Sequence, residues 1–63
     1  MSMRVRLVIV TSKRILTRYF EVDNKRQAIG YIPKVLQEEG ISDKVRRYEV
    51  IEVDENNRRI KRY

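Results

Sequence analysis

Sixty-three residues without cysteine or histidine make one domain near the lower size limit for independent folding, with neither disulfide staples nor the usual zinc ligands. Fifteen Lys and Arg against nine Asp and Glu leave a formal charge of +6, which favours polyanionic partners and nucleic acid first among them. No apolar run nears the roughly twenty residues of a membrane span, and Met1-Ser2-Met3-Arg4 leads into a strand-like pattern rather than a signal peptide, so a cytoplasmic location is expected.

In chain order, Arg4 to Thr11 and Arg14 to Asp23 are rich in β-branched, aliphatic and aromatic residues and read as two strands. Ser12-Lys13 between them suggests a tight hairpin, although neither residue is Gly or Asn and a longer loop is an alternative. A helix follows. Asn24 can serve as its N-cap with Gln27 at the spacing of a capping box, and Ala28, Ile29, Ile32, Val35 and Leu36 form one apolar stripe. Gly40 is placed to end it in a left-handed conformation, with Ile41 folding back on the last turn. Pro33 removes one helical hydrogen bond. Because the stripe stays in phase across it, a kinked single helix is preferred to a break and restart or a functional loop at Gly30–Pro33. After Ser42-Asp43-Lys44, residues Arg46 to Asp54 form a third strand, Asn56-Asn57 a two-residue turn, and Arg58 to Tyr63 a fourth strand. The expected architecture is a single α+β domain over 1–63, ordered β-β-α-β-β, with two hairpins in an antiparallel sheet and the Pro-kinked helix on one face.

Period-two alternation sorts the hairpins into faces. A turn at Ser12-Lys13 pairs Val5 with Phe20, Leu7 with Arg18 and Ile9 with Leu16; a turn at Asn56-Asn57 pairs Val53 with Ile60 and Ile51 with Arg62. The expected core is then Val5, Leu7, Ile9, Leu16, Phe20, Val22, Ile51, Val53 and Ile60 with the helical stripe. The other face receives Arg4, Arg6, Val8, Val10, Ile15, Thr17, Tyr19 and Glu21, joined by Tyr48, Val50, Glu52, Lys61 and Tyr63. Three of the four tyrosines thus fall on a face the helix cannot cover, and such a surface usually has a partner. A one-residue slip in the first hairpin would exchange its faces relative to its partner and undo this sorting.

The basic run Arg58-Arg59-Ile60-Lys61-Arg62 is largely matched by acids across the expected hairpin, with Arg58 facing Glu55, Arg59 facing Asp54 and Lys61 facing Glu52. Arg4 likewise faces Glu21. Arg6, Lys13, Arg14, Arg46 and Arg47 have no evident acidic partner, and Lys44 lies beside the last two. The candidate nucleic-acid-binding residues are therefore Arg4, Arg6, Lys13, Arg14, Tyr19, Lys44, Arg46, Arg47 and Tyr48. In such a site arginines neutralise phosphates while tyrosines stack on bases or sugars.

Parts for catalysis are lacking. There is no His or Cys to act as base or nucleophile, the two glycines cannot build a phosphate-binding loop, and neither Glu38-Glu39 nor Asp54-Glu55 has an apolar setting that would raise a carboxyl pKa. No catalytic residue, metal site, cofactor, small-molecule substrate or membrane partner is expected. In its size, its arginine-rich charge, its lack of Cys and His, and an inferred Arg6/Val8/Tyr19 sheet surface, the chain resembles the small basic proteins of thermophilic archaea and their viruses. Some of these are chromatin proteins that bind DNA through an exposed sheet face. It departs from the barrel architecture of their best-known members, and it also resembles small archaeal ribosome-associated proteins. The resemblance implies a non-enzymatic DNA- or RNA-binding module, nucleoid-associated if DNA is the partner. The alternative is a homodimeric structural or protein-interaction domain that uses the same sheet face. A thermophile surface laced with ion pairs would explain paired charges, but not a surplus of six.

Overall fold

The computed structural model describes all residues 1–63. Four strands, β1 (Met3–Thr11), β2 (Ile15–Val22), β3 (Val45–Val53) and β4 (Arg59–Arg62), form one antiparallel sheet in the order β2-β1-β3-β4. Between β2 and β3 lies a bent helix made of α1 (Lys25–Gly30) and α2 (Ile32–Glu38). Because β2 and β3 both run antiparallel to β1, the helix carries the chain back along the sheet and across β1 to reach β3. The strand it crosses is the most deeply buried, with Val5, Leu7 and Ile9 at 0% exposure. The short outer strand β4 is exposed at all four residues.

Local chemistry explains the helix boundaries. The Gln27 amide donates to the Asn24 side-chain oxygen at 2.8 Å, which satisfies one orphan donor of the first turn, and the Gln27 side chain reaches back to accept from the Asp23 amide, just before the cap, at 2.6 Å. Gly40 takes φ +66°, the Gly40 amide donates to the Gln37 carbonyl and the Ile41 amide to the Leu36 carbonyl. Those are the paired bonds of a Schellman cap. Pro33 bends the helix rather than ending it. The Tyr31 amide reaches back only three residues, to Ala28, and the regular pattern resumes with Val35 bonding to Tyr31. Tyr31 at the bend stacks on Phe20 of β2, ring centroids 4.3 Å apart, so the expected alternative of a functional loop is replaced by a packing contact.

The first hairpin has the expected register, from Val5–Phe20 to Ile9–Leu16, around the tight Ser12-Lys13 turn. The second hairpin differs from expectation in both turn and faces. The loop is three residues long, closed by Asp54 and Arg58, with Asn57 at φ +64°. The Asp54 side chain accepts from the Asn56 and Arg58 amides, which favours this loop over a two-residue turn. Ile51 does face Arg62 and Lys61 faces Glu52, but Val53 faces Arg59, not Ile60. Ile60 is the extra residue of a bulge, 59% exposed and outside the core.

A second bulge, at Arg46, has larger consequences. Val10 faces Arg47 whereas Thr11 faces Val45, so β3 holds one extra residue. Val45 packs toward the helix, and past the bulge the even-numbered residues continue on that side. Val50 therefore enters the helix-side core beside Leu7, and Tyr48, Glu52, Lys61 and Tyr63 share its face. Ile51 and Val53, expected under the helix, lie on the opposite face. They are nonetheless buried, at 4% and 3% exposure. Arg6 and Arg62 flank Ile51 in the ladder, and the Arg4 side chain reaches the Asn57 side-chain oxygen at 2.8 Å, spanning the β3 strand end. The aliphatic stems of arginines thus stand in for a second layer.

Candidate nucleic-acid interface

The sheet face away from the helix, here the open face, carries Arg4, Arg6, Val8 and Val10 from β1, and Ile15, Thr17, Tyr19 and Glu21 from β2. From β3 come Arg47, Glu49, Ile51 and Val53, with Arg59 and Arg62 from β4. Of the four tyrosines only Tyr19 is here, a correction to the expected three. Tyr48 is half-exposed on the helix side, and Tyr63 likewise, with its hydroxyl donating to Glu52 at 3.2 Å and Lys61 over its ring. Partial desolvation first, then the hydrogen bond to Glu52 and its charge, push the Tyr63 phenol above the ordinary tyrosine pKa.

One end of the open face is continuous with the β1–β2 hairpin tip. The Ser12 amide donates to the Lys44 carbonyl at 2.9 Å, tying the tip to the connector before β3. Thr11, nearly buried, organises this junction. Its hydroxyl oxygen accepts the Lys13 and Arg14 amides and lies 3.0 Å from the Asp43 carboxylate, the stronger of two acceptors within reach of its one proton. Asp43, its side chain 6% exposed, also accepts from Arg14 Nε at 2.8 Å. Arg14 is therefore paired, contrary to expectation. Lys13, Lys44, Arg46 and Arg47 project around it as exposed bases.

The remaining ion pairs are Arg18 with Glu39 on the helix side and Arg62 with Glu49 at 3.8 Å on the open face. The expected cross-strand pairs of Arg58 with Glu55 and Arg59 with Asp54 do not form, because the three-residue loop shifts their register. Arg4 stands opposite Glu21 as expected, but its guanidinium lies over the Tyr19 ring at 5.2 Å and bonds Asn57. Arg6, Lys13, Lys44, Arg46 and Arg47 have side chains without an ion pair or an internal hydrogen bond.

Sorting all charges by surface gives an unequal division. The open face and hairpin end together hold nine bases (Arg4, Arg6, Lys13, Arg14, Lys44, Arg46, Arg47, Arg59 and Arg62) and three acids (Glu21, Asp43 and Glu49). The rest of the molecule holds six of each. Sequence reasoning missed Arg59 because it was matched against Asp54 across a shorter turn, and Arg62 because it was placed with Ile51 on the helix side, the face that the bulge at Arg46 exchanges; a loop led by an Asp that can bond two later amides was the available signal of a longer turn.

Fold and surface together define a small α+β domain with one helix-covered and one arginine-covered sheet face. No helix is long and apolar enough to cross a membrane. No family model matches the chain, and neither does any curated protein or solved structure.

Proposed function

We propose that the chain is a non-enzymatic nucleic-acid-binding module, acting in the cytoplasm and at the nucleoid if its partner is DNA. It contacts phosphates, largely without sequence selectivity, through the open sheet face and the adjoining hairpin end. The observation that carries this reading is the division of charge. The whole surplus of six lies on that one surface, while the remainder is balanced. A surface designed only for ion-pair networks would spread its bases among acids.

In this reading Arg6, Lys13, Lys44, Arg46 and Arg47 take phosphates, since their head groups have no internal partner to give up. Arg4, held by Asn57 over Tyr19, positions the tyrosine ring for a base or sugar, and Val8 and Val10 offer apolar contact beside it. Tyr48 is placed too far round the sheet to join them. No paired helix is available for the major groove, which supports backbone contact over base readout. The longest dimension of the molecule, 32 Å, corresponds to about nine base pairs at roughly 3.4 Å each. The same charge division weighs against sheet-on-sheet homodimerisation through this face, which would bring the basic surplus of two copies together.

Binding to a short duplex, measured by fluorescence anisotropy across a salt series, tests the proposal. Five phosphate contacts predict a slope of log affinity on log salt of about −4.5 on duplex and about −3.5 on single strands. Absence of binding at low salt, or a slope near zero, overturns it.

A further inference from the structure

The two edges of the sheet are built differently. β4 is four residues long, bulged, and bears Arg59, Lys61 and Arg62, all features that discourage pairing with another strand. β2 is twice as long, unbulged, and carries only Arg18 and Glu21 as charges, one of each sign. It runs eight residues without Pro or Gly, in unbroken register with β1.

Its unpaired backbone groups can be identified. The Thr11 amide donates to the Arg14 carbonyl, so Thr11–Arg14 is a hydrogen-bonded pair. Alternation then directs the amides and carbonyls of Leu16, Arg18 and Phe20 toward β1, and those of Ile15, Thr17 and Tyr19 out of the free edge. The outward-bonding residues also carry the exposed apolar side chains of this strand, Ile15 at 67% and Tyr19 at 38%.

We infer that β2 pairs antiparallel with β2 of a second copy, with the two-fold axis at Thr17. In that register Ile15 meets Tyr19 of the second copy and Lys13 meets Glu21 of the second copy, each contact occurring twice. Three hydrogen-bonded pairs, about six backbone bonds, form around Thr17. Neighbouring registers are poorer. Centring on Arg18 sets two guanidinium groups face to face, and centring on Tyr19 opposes Lys13 to Lys25 and Ile15 to Asp23. Residues directly opposite share a face, so both helices lie on one side and the two open faces join into one surface of eight strands. The pairing rests on the edge alone and stands whether or not that surface binds nucleic acid.

Thr17→Pro is a clean test, because it removes an outward amide while leaving every bond to β1 in place. Sedimentation velocity from micromolar to millimolar concentration is expected to show wild type rising from 7.7 kDa toward twice that mass. Thr17→Pro stays at the lower mass with an unchanged circular dichroism spectrum, and Thr17→Val behaves as wild type. Should Thr17→Pro fail to fold, the charge pair decides. Lys13→Glu and Glu21→Lys each reduce the dimer fraction and together restore it. A wild-type protein monomeric at millimolar concentration, a folded Thr17→Pro that still dimerises, or charge swaps without mutual rescue would each overturn the inference.

Discussion

Replacing Asp43 by alanine is expected to make the protein less stable and a stronger ligand for polyanions at once. Asp43 is nearly buried and accepts from both the Thr11 hydroxyl and Arg14 Nε. A hydrogen bond to a charged group contributes about 1.5–3 kcal/mol. Arg14 is half-exposed, so its ion pair adds at most about 1 kcal/mol. The Thr11 hydroxyl keeps the Arg14 carbonyl as an alternative acceptor at 3.1 Å, which holds the loss toward the lower end, about 2 kcal/mol. For a domain of this size that lowers Tm by about 8–16 °C. Arg14 is freed by the same change, and the hairpin end loses its only acid, so the duplex salt slope steepens by about 0.9. Asp43→Asn separates the effects. It preserves an oxygen for Thr11, costs less than about 1 kcal/mol, and gives the same steeper slope. Calorimetry and the salt series read both quantities. An Asp43→Ala protein melting within about 2 °C of wild type would refute the reasoning about the junction.

Three further outcomes follow from the faces and the titratable groups. Ile51→Ala is expected to cost about 2–4 kcal/mol in urea unfolding, since the side chain is buried beneath arginines, whereas Ile60→Ala changes stability by less than about 0.5 kcal/mol; equal effects would contradict the bulge at Ile60. The Tyr63 pKa is raised in the folded protein, so the stabilisation it provides is fully present below the unfolded tyrosine pKa of about 10 and is lost as pH rises through the folded value. Urea midpoints are therefore expected to fall for wild type above about pH 10 more steeply than for Tyr63→Phe, and parallel curves would dismiss the Glu52 contact. Arg6→Ala with Arg47→Ala is expected to reduce the duplex salt slope by about 1.8, while Lys25→Ala with Lys34→Ala on the helix side leaves it unchanged.

Element order, helix caps and the first hairpin were legible because each rests on local chemistry. Asn24, Gln27 and Gly40 act within a few residues, and the apolar alternation of Val5, Leu7 and Ile9 admits one inward face. The C-terminal hairpin was not legible in the same way. In β3 the sequence Val50-Ile51 sets apolar residues on both faces, so alternation alone offers two solutions. The choice between them depends on the bulge at Arg46, which lets Val45 and Val50 both pack toward the helix although their offset along the strand is odd. At the candidate site, Arg6 and Tyr19 could be placed from the sequence because β1 and β2 pair as expected, whereas Arg47 reaches the open face only through the bulge that exchanges the faces of β3. Tyr48 was misplaced with the rest of β3, and the Arg14–Asp43 pair joins residues 29 apart through a tip-to-connector contact that no local pattern announces.

Nucleic-acid binding on the open face and hairpin end can be read residue by residue by mapping amide shifts of isotopically labelled protein as a short duplex is added at low salt. Changes are expected to concentrate at Arg6, Val8, Lys13, Tyr19, Lys44 and Arg47, with little change along α1 and α2. Shifts confined to the helices, or none at all at saturating duplex, would contradict binding there.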